Sequence, residues 1–533
     1  MAKADGAASI TRIAIAAFVV LTALGAVWLG LIVESPRVSV NVRWNENLTA
    51  VERSALEQRF HLTDGRLVEG GTWQYTLADD SSANIRALVE HPAVADTYRL
   101  NRVVFQPSER PPSKTWQVIR GAVLIGLTGT AALLIAIAFA DSTRVDLVLL
   151  LILISALAVR LELATTEEYI HDEENTSIPL SKTISFAPDH LHLPIRGENH
   201  GALPAYVVKV SSSLFGTSPL GYRLLHLLLG ICTIIIIFLA TRQWYGPVAA
   251  RWAAALWAFN EYYLAISARA TAQVPTLFFD ALAVYAFSRF LSKQRAVYLY
   301  AAGFSVGLAF YCKENAALLL PIFLLTLLHT RYRQWLRSPH VYLACLTFFV
   351  VIGPDVYVNL TTDPETARIT YSDQIANQAT YGSHFRRFGG IAFSPYPAMF
   401  YGRSAVRPLY RRITGGAFRD ETSDYLAMNP GIGILLFGAV LITTIGPGRD
   451  SMRWFLLLLF WVVFVFFSLI KPGDPPGRLD PVSWIWVEVT MIPAVVLAGA
   501  RLADATGKWR VPAWAFGAGV LLYAVASTIG QSL

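Results

Sequence analysis

The sequence predicts an α-helical protein that crosses a membrane about 13 times and carries a small α+β domain outside the bilayer. Three observations support this fold class. Hydrophobic residues make up 54% of the chain and charged residues 15%, with a mean hydropathy of +0.45. The apolar residues form repeated runs of about 20, the length that spans a bilayer. Residues 36–112, in contrast, have the alternation of strands and the periodicity of short helices.

The apolar runs divide the chain into an anchor (1–35), an outer domain (36–112), a second helix with a connector (113–144) and a helical core (145–533). The anchor is predicted to be uncleaved, because its apolar run is long and shows no clear small-residue cleavage pattern; the alternative is a signal peptide. The predicted spans lie near 11–33, 117–140, 145–163, 219–240, 248–266, 274–292, 296–312, 315–330, 341–358, 431–447, 453–470, 483–501 and 512–530.

Basic residues predict the orientation of these spans. Short loops carry Lys and Arg at alternate turns, as in residues 289–295 and 331–337. By the positive-inside rule, the N-terminus is cytoplasmic and the long loops 164–218 and 359–430 face outward, as expected for a multi-pass protein of a bacterial-type inner membrane. Since the net charge of +7 arises mostly from these loops, no nucleic acid is expected as a partner.

The outer domain has the predicted order βαββαβ. VSVNVRW and GTWQYTL alternate as strands, LTAVERSALEQRF and SSANIRALVEHP have helical periodicity, and GRLVEG and VADTYRLNRVVF are extended runs. This order is typical of a ferredoxin-like sandwich. Because that fold is compatible with many functions, we expect a docking or regulatory module that binds a protein partner.

A cluster of charge follows the third span, where the run AVRLELATTEEYI leads into His171, Asp172, Glu173 and Glu174. Carboxylates at a membrane surface can bind a metal ion or take a proton from a substrate. The alternative for Asp172 and Glu173 is a solvated pair of loop charges. The predicted orientation places the cluster outside.

The motifs around this cluster resemble those of the GT-C membrane glycosyltransferases, and in particular the aminoarabinose transferases and the protein O-mannosyltransferases of family 39. The resemblance covers roughly residues 145–530. Its motifs are a helix with Arg160, the Asp172-Glu173 pair, the step His200-Gly201-Ala202-Leu203, the sequence LFG before Arg223, Arg269 in ISARATAQVP, and Lys313 in GLAFYCKENAALLLP. The chain departs from the family where His200 is followed by Gly-Ala rather than Pro-Pro.

The resemblance implies the transfer of a sugar, with inversion, from a polyprenyl-phosphate donor to a hydroxyl of a lipid, a glycan or a protein. It assigns the role of base to Asp172, with Glu173 as the helper that orients the acceptor or binds a metal, and donor phosphate binding to Lys313 and Arg269. An outward-facing enzyme has no cytoplasmic nucleotide sugars, which also favours a lipid-linked donor. The alternative is a noncatalytic membrane scaffold or a transporter, although no internal symmetry is evident.

Further residues are weaker candidates. Glu198 and His200 have the oxygen and imidazole ligands of a divalent metal or could contact substrate, whereas a hydrogen-bonded loop histidine is the alternative. In loop 359–430, Tyr396, Arg386 and Arg387 suit a flap that stacks on sugar rings and meets phosphates. The alternative is a loop that rests on lipid headgroups.

Two basic residues have structural alternatives. Lys313 is followed by Glu314, so a surface ion pair is the alternative to phosphate binding. Arg160 near the end of its span is equally consistent with a side chain that snorkels to the interface.

Overall fold

The computed structural model describes a small sheet near the N-terminus and a large bundle of helices. The described residues are 38–44, 47–67, 73–77, 87–88, 91–96, 146–166, 173, 177–178, 181, 203–361, 388–391, 398, 400–401, 430–446, 450–472, 487–505 and 510–532. The first two predicted spans, 11–33 and 117–140, lie outside these residues.

The N-terminal sheet consists of four antiparallel strands in the order β2-β3-β1-β4. The elements are β1 (Val38–Trp44), α1 (Ala50–Arg59), β2 (Leu62–Leu67), β3 (Trp73–Leu77) and β4 (Val94–Asp96). Val42, Phe60 and Tyr75 form a small core, and the Trp44 indole donates to the Tyr75 hydroxyl (2.9 Å). Between β3 and β4 the described residues are 87–88, which are helical, and 91–93, which form a turn before β4. The complete ferredoxin-like sandwich therefore stays a prediction.

Helix α1 begins with a capping box. The Thr49 hydroxyl accepts from the Glu52 N–H (3.3 Å), and the Glu52 carboxylate accepts from the Thr49 N–H (3.0 Å) and the Thr49 hydroxyl (2.7 Å). These bonds satisfy N–H groups that lack partners at the start of every helix. The Thr49 side chain and N–H, which both donate to the Glu52 carboxylate, lower its pKa.

The remaining helices form the bundle. They are α2 (Leu147–Thr166), α3 (Leu203–Phe215), α4 (Pro219–Ala258), α5 (Glu261–Ser267), α6 (Gln273–Lys293), α7 (Ala296–Cys312), α8 (Leu319–Leu327), α9 (Pro339–Thr361), α10 (Pro430–Ile445), α11 (Ser451–Leu469), α12 (Met491–Asp504) and α13 (Arg510–Ser532). Two further strands, β5 (Phe388–Ile391) and β6 (Ile470–Pro472), pair antiparallel.

Four helices of the described chain are long and apolar enough to cross a membrane: α2, α4, α6 and α11. Shorter apolar helices lie at six other places, among them residues 296–312 and 431–445. The chain is therefore a multi-pass membrane protein. The predicted number of 13 spans stays a prediction.

Helix α4 contains a break where the sequence predicts two spans, 219–240 and 248–266. Gly246 has φ +81° and ψ 178°, a conformation that L side chains rarely adopt, and Pro247 follows it. The 40-residue element is thus two helical segments joined at a glycine.

Glycines and aromatic rings bring the helices together. A Cβ on Gly303 of α7 would lie 2.2 Å from the Ala344 carbonyl oxygen of α9, and one on Gly499 of α12 would lie 2.6 Å from the Ala249 carbonyl oxygen of α4. Such contacts let helix backbones approach closely, which compensates for the weak hydrophobic drive between helices in lipid. Phe287 of α6 stacks on Phe323 of α8, with ring centroids 4.1 Å apart.

Polar contacts define one end of the bundle, opposite the end of α2 and the starts of α4 and α6. At the start of α2, the Asp146 carboxylate accepts from Arg251 (3.0 Å). The Tyr332 hydroxyl bonds to the Leu291 carbonyl (2.9 Å) and contacts the Ser451 hydroxyl (2.9 Å), so α6 ends where α11 begins. Because α11 runs away from this point, β6 and its partner β5 lie at the opposite end of α11.

The capping box predicts an acid-dependent contribution to the stability of the N-terminal sheet and its helix α1. The carboxylate of Glu52 has a lowered pKa in the folded chain, so its stabilising effect is present above the unfolded pKa and is lost as the pH falls through the folded value. We expect Glu52→Gln to be less stable than wild type at neutral pH and equally stable in acid. Hydrogen exchange of α1 amides in both proteins, compared at each pH, measures the difference. An unchanged gap at all pH values would contradict this assignment.

Candidate active site

Glu173 lies at the centre of a fully buried network. Its two carboxylate oxygens accept from Nε and Nη2 of Arg223, both at 2.8 Å, and Oε1 also accepts from the Ala270 N–H (2.8 Å). Neither Glu173 nor Arg223 is exposed. Arg223 also donates to the Ala164 carbonyl (3.0 Å). One ion pair therefore joins the end of α2, the segment after it, the start of α4 and the turn before α6.

Two further predicted site residues, Arg269 and Asp172, are neighbours in sequence of residues in this network. Arg269 is the residue before Ala270, and it is half-buried. Asp172 is the residue before Glu173, but it lies outside the described part of the chain. The hydrogen bond from the Ala270 N–H to Glu173 therefore links the segment of Asp172, the predicted base, to the turn of Arg269, a predicted phosphate ligand.

Lys313 lies in a second buried cluster. Its ammonium donates to Glu488 Oε1 (3.0 Å), and the Tyr262 hydroxyl donates to Glu488 Oε2 (2.6 Å). Lys313 is 2% exposed and Glu488 is fully buried. This pair differs from the alternative of a surface ion pair with Glu314, because its partner is 175 residues away and excluded from water.

A second buried acid lies in α6. Asp280 is fully buried, and within the described residues neither of its oxygens has a hydrogen-bond partner.

The short helix α5 and the turn after it contact both clusters. Tyr262 in α5 holds Glu488, and Ala270 in the turn holds Glu173. Asn260 caps α5 by accepting from the Tyr263 N–H (3.2 Å), which fixes where the helix begins. The stretch 262–270 thus connects the Glu173 network to the cluster of Lys313 and Glu488.

Arg160 does not snorkel. Its guanidinium is fully buried and donates to the Ser267 hydroxyl (2.7 Å), the Ala258 carbonyl (3.0 Å) and the Ala156 carbonyl (3.1 Å). It also lies 5.4 Å from the centre of the Tyr263 ring. Arg160 therefore ties α2 to the end of α4 and to the end of α5.

Loop 359–430 is anchored at two places. β5 pairs with β6 after α11. Phe400 and Tyr401 are buried: Phe400 meets the edge of Tyr262 (centroids 5.1 Å apart), and the Tyr401 hydroxyl contacts the Thr490 hydroxyl (2.7 Å). The predicted flap residues Tyr396, Arg386 and Arg387 lie outside the described residues, so their role stays a prediction.

The predicted metal or substrate ligands Glu198 and His200 also lie outside the described residues. Among the residues that the structure describes, no three His, Cys, Asp or Glu side chains are grouped as metal ligands.

Part of this chain matches a family model. Residues 199–357 match the model described as dolichyl-phosphate-mannose-protein mannosyltransferase, a segment that contains Arg223, Arg269 and Lys313. No curated protein sequence matches the chain.

Solved structures show the fold. The crystal structure of ArnT from Cupriavidus metallidurans bound to undecaprenyl phosphate is similar, with a TM-score of 0.51 and 18% identity over 72% of this chain and 65% of the ArnT chain. ArnT in the apo state has a TM-score of 0.48 and 19% identity, over 69% of this chain and 61% of that chain. The archaeal oligosaccharyltransferase AglB from Archaeoglobus fulgidus, in complex with an inhibitory peptide and a dolichol-phosphate, has a TM-score of 0.43 and 15% identity, over 72% and 56%.

The chain thus spans 65% of the ArnT chain, less than two thirds of its length. Its fold is similar to that of ArnT, and the match of residues 199–357 to the mannosyltransferase model agrees with the resemblance predicted from its motifs.

Three buried residues were absent from the sequence prediction: Tyr262, Asp280 and Glu488. The two acids had a detectable signal, since each stands inside an apolar run, in FFDALAV and in WIWVEVTMIP. A charge in such a run is costly unless it is paired or used. The pairing of Glu488 with Lys313 had no local signal.

The Glu173–Arg223 pair predicts a large loss of stability when one partner is neutralised. Glu173→Gln leaves a buried guanidinium without its carboxylate, so we expect the free energy of unfolding to fall by about 3–5 kcal/mol. Arg251→Gln is the matched control, because Arg251 is 39% exposed in its pair with Asp146. That change should cost less, because Arg251 is partly in water and Asp146 keeps its hydrogen bond from the Leu149 N–H (3.2 Å). Thermal unfolding of both variants in detergent measures the contrast, and equal losses would contradict a special role for the buried pair.

Proposed function

We propose that this chain is an integral membrane glycosyltransferase that moves a sugar from a polyprenyl-phosphate donor to an acceptor hydroxyl on the outer face of a bacterial-type inner membrane, with inversion. The observation that carries the proposal is the hydrogen bond between Glu173 and the Ala270 N–H. It links the segment that follows Asp172 to the turn that follows Arg269.

The proposed reaction is a single displacement. Asp172 takes the proton of the acceptor hydroxyl, whose oxygen forms a bond to the anomeric carbon as the bond from that carbon to the phosphate oxygen breaks. Polyprenyl phosphate leaves with the electron pair of the broken bond. Negative charge develops on this phosphate in the transition state, and Arg269 and Lys313 stabilise it.

The geometry supports different roles for the two acids of the cluster. Both oxygens of Glu173 already accept N–H groups, from Arg223 and Ala270, so we assign Glu173 the role of orienting its neighbour Asp172. An ammonium has three donors, so the bond from Lys313 to Glu488 is compatible with a phosphate contact. Glu198 and His200 remain our candidate ligands for a divalent metal or for substrate.

The similar ArnT structure contains undecaprenyl phosphate, which supports a polyprenyl phosphate as the leaving group here. Its shared fold supports a site at the ends of the helices, where Glu173 and Lys313 lie. In sequence, Tyr396 lies between the two anchors of loop 359–430, and Arg386 and Arg387 lie just before the first. These positions support a covering role for the three residues. We propose a lipid, a glycan or a protein as the acceptor, and a protein partner for the outer domain.

Asp172→Asn tests the proposed base. Because the amide cannot take a proton, we expect transfer to fall by about 10²–10⁴-fold while the protein folds normally. Transfer is measured in membranes by mass spectrometry of lipids and glycans, with and without the protein. The matched control is Glu174→Gln, a neighbouring acid to which we assign no role.

A noncatalytic scaffold makes the opposite prediction. It requires Asp172→Asn to behave as wild type in every assay, so near-normal transfer by this variant would rule out Asp172 as the base.

Arg269→Gln tests phosphate binding. Removing the guanidinium should weaken the binding of undecaprenyl phosphate to the purified protein by about tenfold or more, since a charged hydrogen bond contributes about 1.5–3 kcal/mol. The control is Arg289→Gln, near the other end of α6. Equal affinities in the two variants would remove Arg269 from the site.

Activity after chelation, with and without added Mg²⁺ or Mn²⁺, tests the metal requirement.

A further inference from the structure

The backbone places Lys313 at a break between two helices. α7 ends at Cys312, Lys313 is extended (φ −158°, ψ 128°), and a 3₁₀ turn begins at the next residue. A lysine side chain has four flexible carbons, so the backbone alone does not determine where the ammonium lies. Its position depends on the groups that it contacts.

Glu488 is held on both oxygens. Oε1 accepts from Lys313 (3.0 Å) and Oε2 from the Tyr262 hydroxyl (2.6 Å), and the carboxylate is fully buried. Tyr262 is itself held, because its ring packs against Phe400. Glu488 is therefore a rigid acceptor for a flexible donor.

Asp280 of α6 is a second buried acid. It is fully buried, and its oxygens have no hydrogen-bond partner in the described part of the chain. A buried carboxyl group without a partner is costly, so a donor that reached Asp280 would be stabilised there.

We propose that Glu488 is a positioning residue for Lys313, and that Tyr262 acts in the same role through Glu488. The inference rests on the proposed function, in which Lys313 stabilises the leaving phosphate. Without the Glu488 charge, the ammonium turns to Asp280. The ammonium is then displaced from the phosphate. Small displacements of a group that stabilises the transition state have large effects on rate.

Glu488→Gln is the first test. We expect kcat per folded protein to fall at least about tenfold, with KM for the polyprenyl-phosphate sugar changed by less than about threefold, because the charge on the phosphate grows toward the transition state. Glu488→Asp keeps the charge and should recover part of the loss. A purely structural role would lower the yield of folded protein and leave kcat of the folded fraction unchanged.

Tyr262→Phe tests the chain of contacts. It removes only the hydroxyl that holds Glu488, so we expect kcat to fall about threefold, and the double variant Tyr262→Phe/Glu488→Gln to be no slower than Glu488→Gln alone. The control is Tyr263→Phe, the same change one residue later, where the lost hydroxyl bonds to the Gly230 carbonyl (3.3 Å). This control should match wild type.

Independent outcomes separate this inference from the proposed function. The positioning role is wrong if Asp172→Asn abolishes transfer while Glu488→Gln keeps kcat within twofold of wild type. It is also wrong if the double variant loses kcat by the product of the factors lost in Tyr262→Phe and in Glu488→Gln. An experimental structure of Glu488→Gln decides the point without any activity: Lys313 Nζ on Asp280 supports the inference, and Nζ still on residue 488 overturns it. Absence of transfer by the wild type would instead overturn the proposed function.

Discussion

The buried pair of Arg223 and Glu173 holds together the part of the bundle on which the candidate site depends. In a membrane, apolar side chains gain little by leaving lipid for another helix, so specific polar contacts and close backbone packing determine which helices meet. A bidentate guanidinium–carboxylate pair is directional as well as strong. Because the same carboxylate also accepts the Ala270 N–H, one side chain determines how the segment after α2, the start of α4 and the turn before α6 are arranged.

Much of the bundle could be predicted from the sequence, because the apolar runs are long and their ends carry clear signals. Gly246-Pro247 shows why: the glycine separates two helical segments where two spans were predicted. The ends of α12 were less predictable. The predicted span 483–501 begins before the helix, which starts at Met491 after a 3₁₀ turn, since apolarity alone does not distinguish a helix from the tighter turn that leads into it.

The candidate site was predictable in its residue types and less so in its partners. Glu173 and Lys313 were identified from motifs, yet the groups that hold them, Arg223 and Glu488, depend on how distant segments pack. Lys313 and Glu488 are 175 residues apart, and no local spacing encodes that contact. Periodicity and charge report where a residue lies along its own helix. They do not report which neighbour it faces, and so the environment of Arg160, buried rather than at the interface, had to come from the structure.

The contacts of Arg160 also bear on how this protein is made. Its acceptors at Ala258 and Ser267 lie 98 and 107 residues further along the chain, so they do not yet exist when α2 leaves the ribosome. At about 5–20 residues per second, synthesis of that stretch takes roughly 5–20 s. During this interval α2 carries a guanidinium that has not yet met its final partners. The buried position of Arg160 is therefore completed only after α5 has been made.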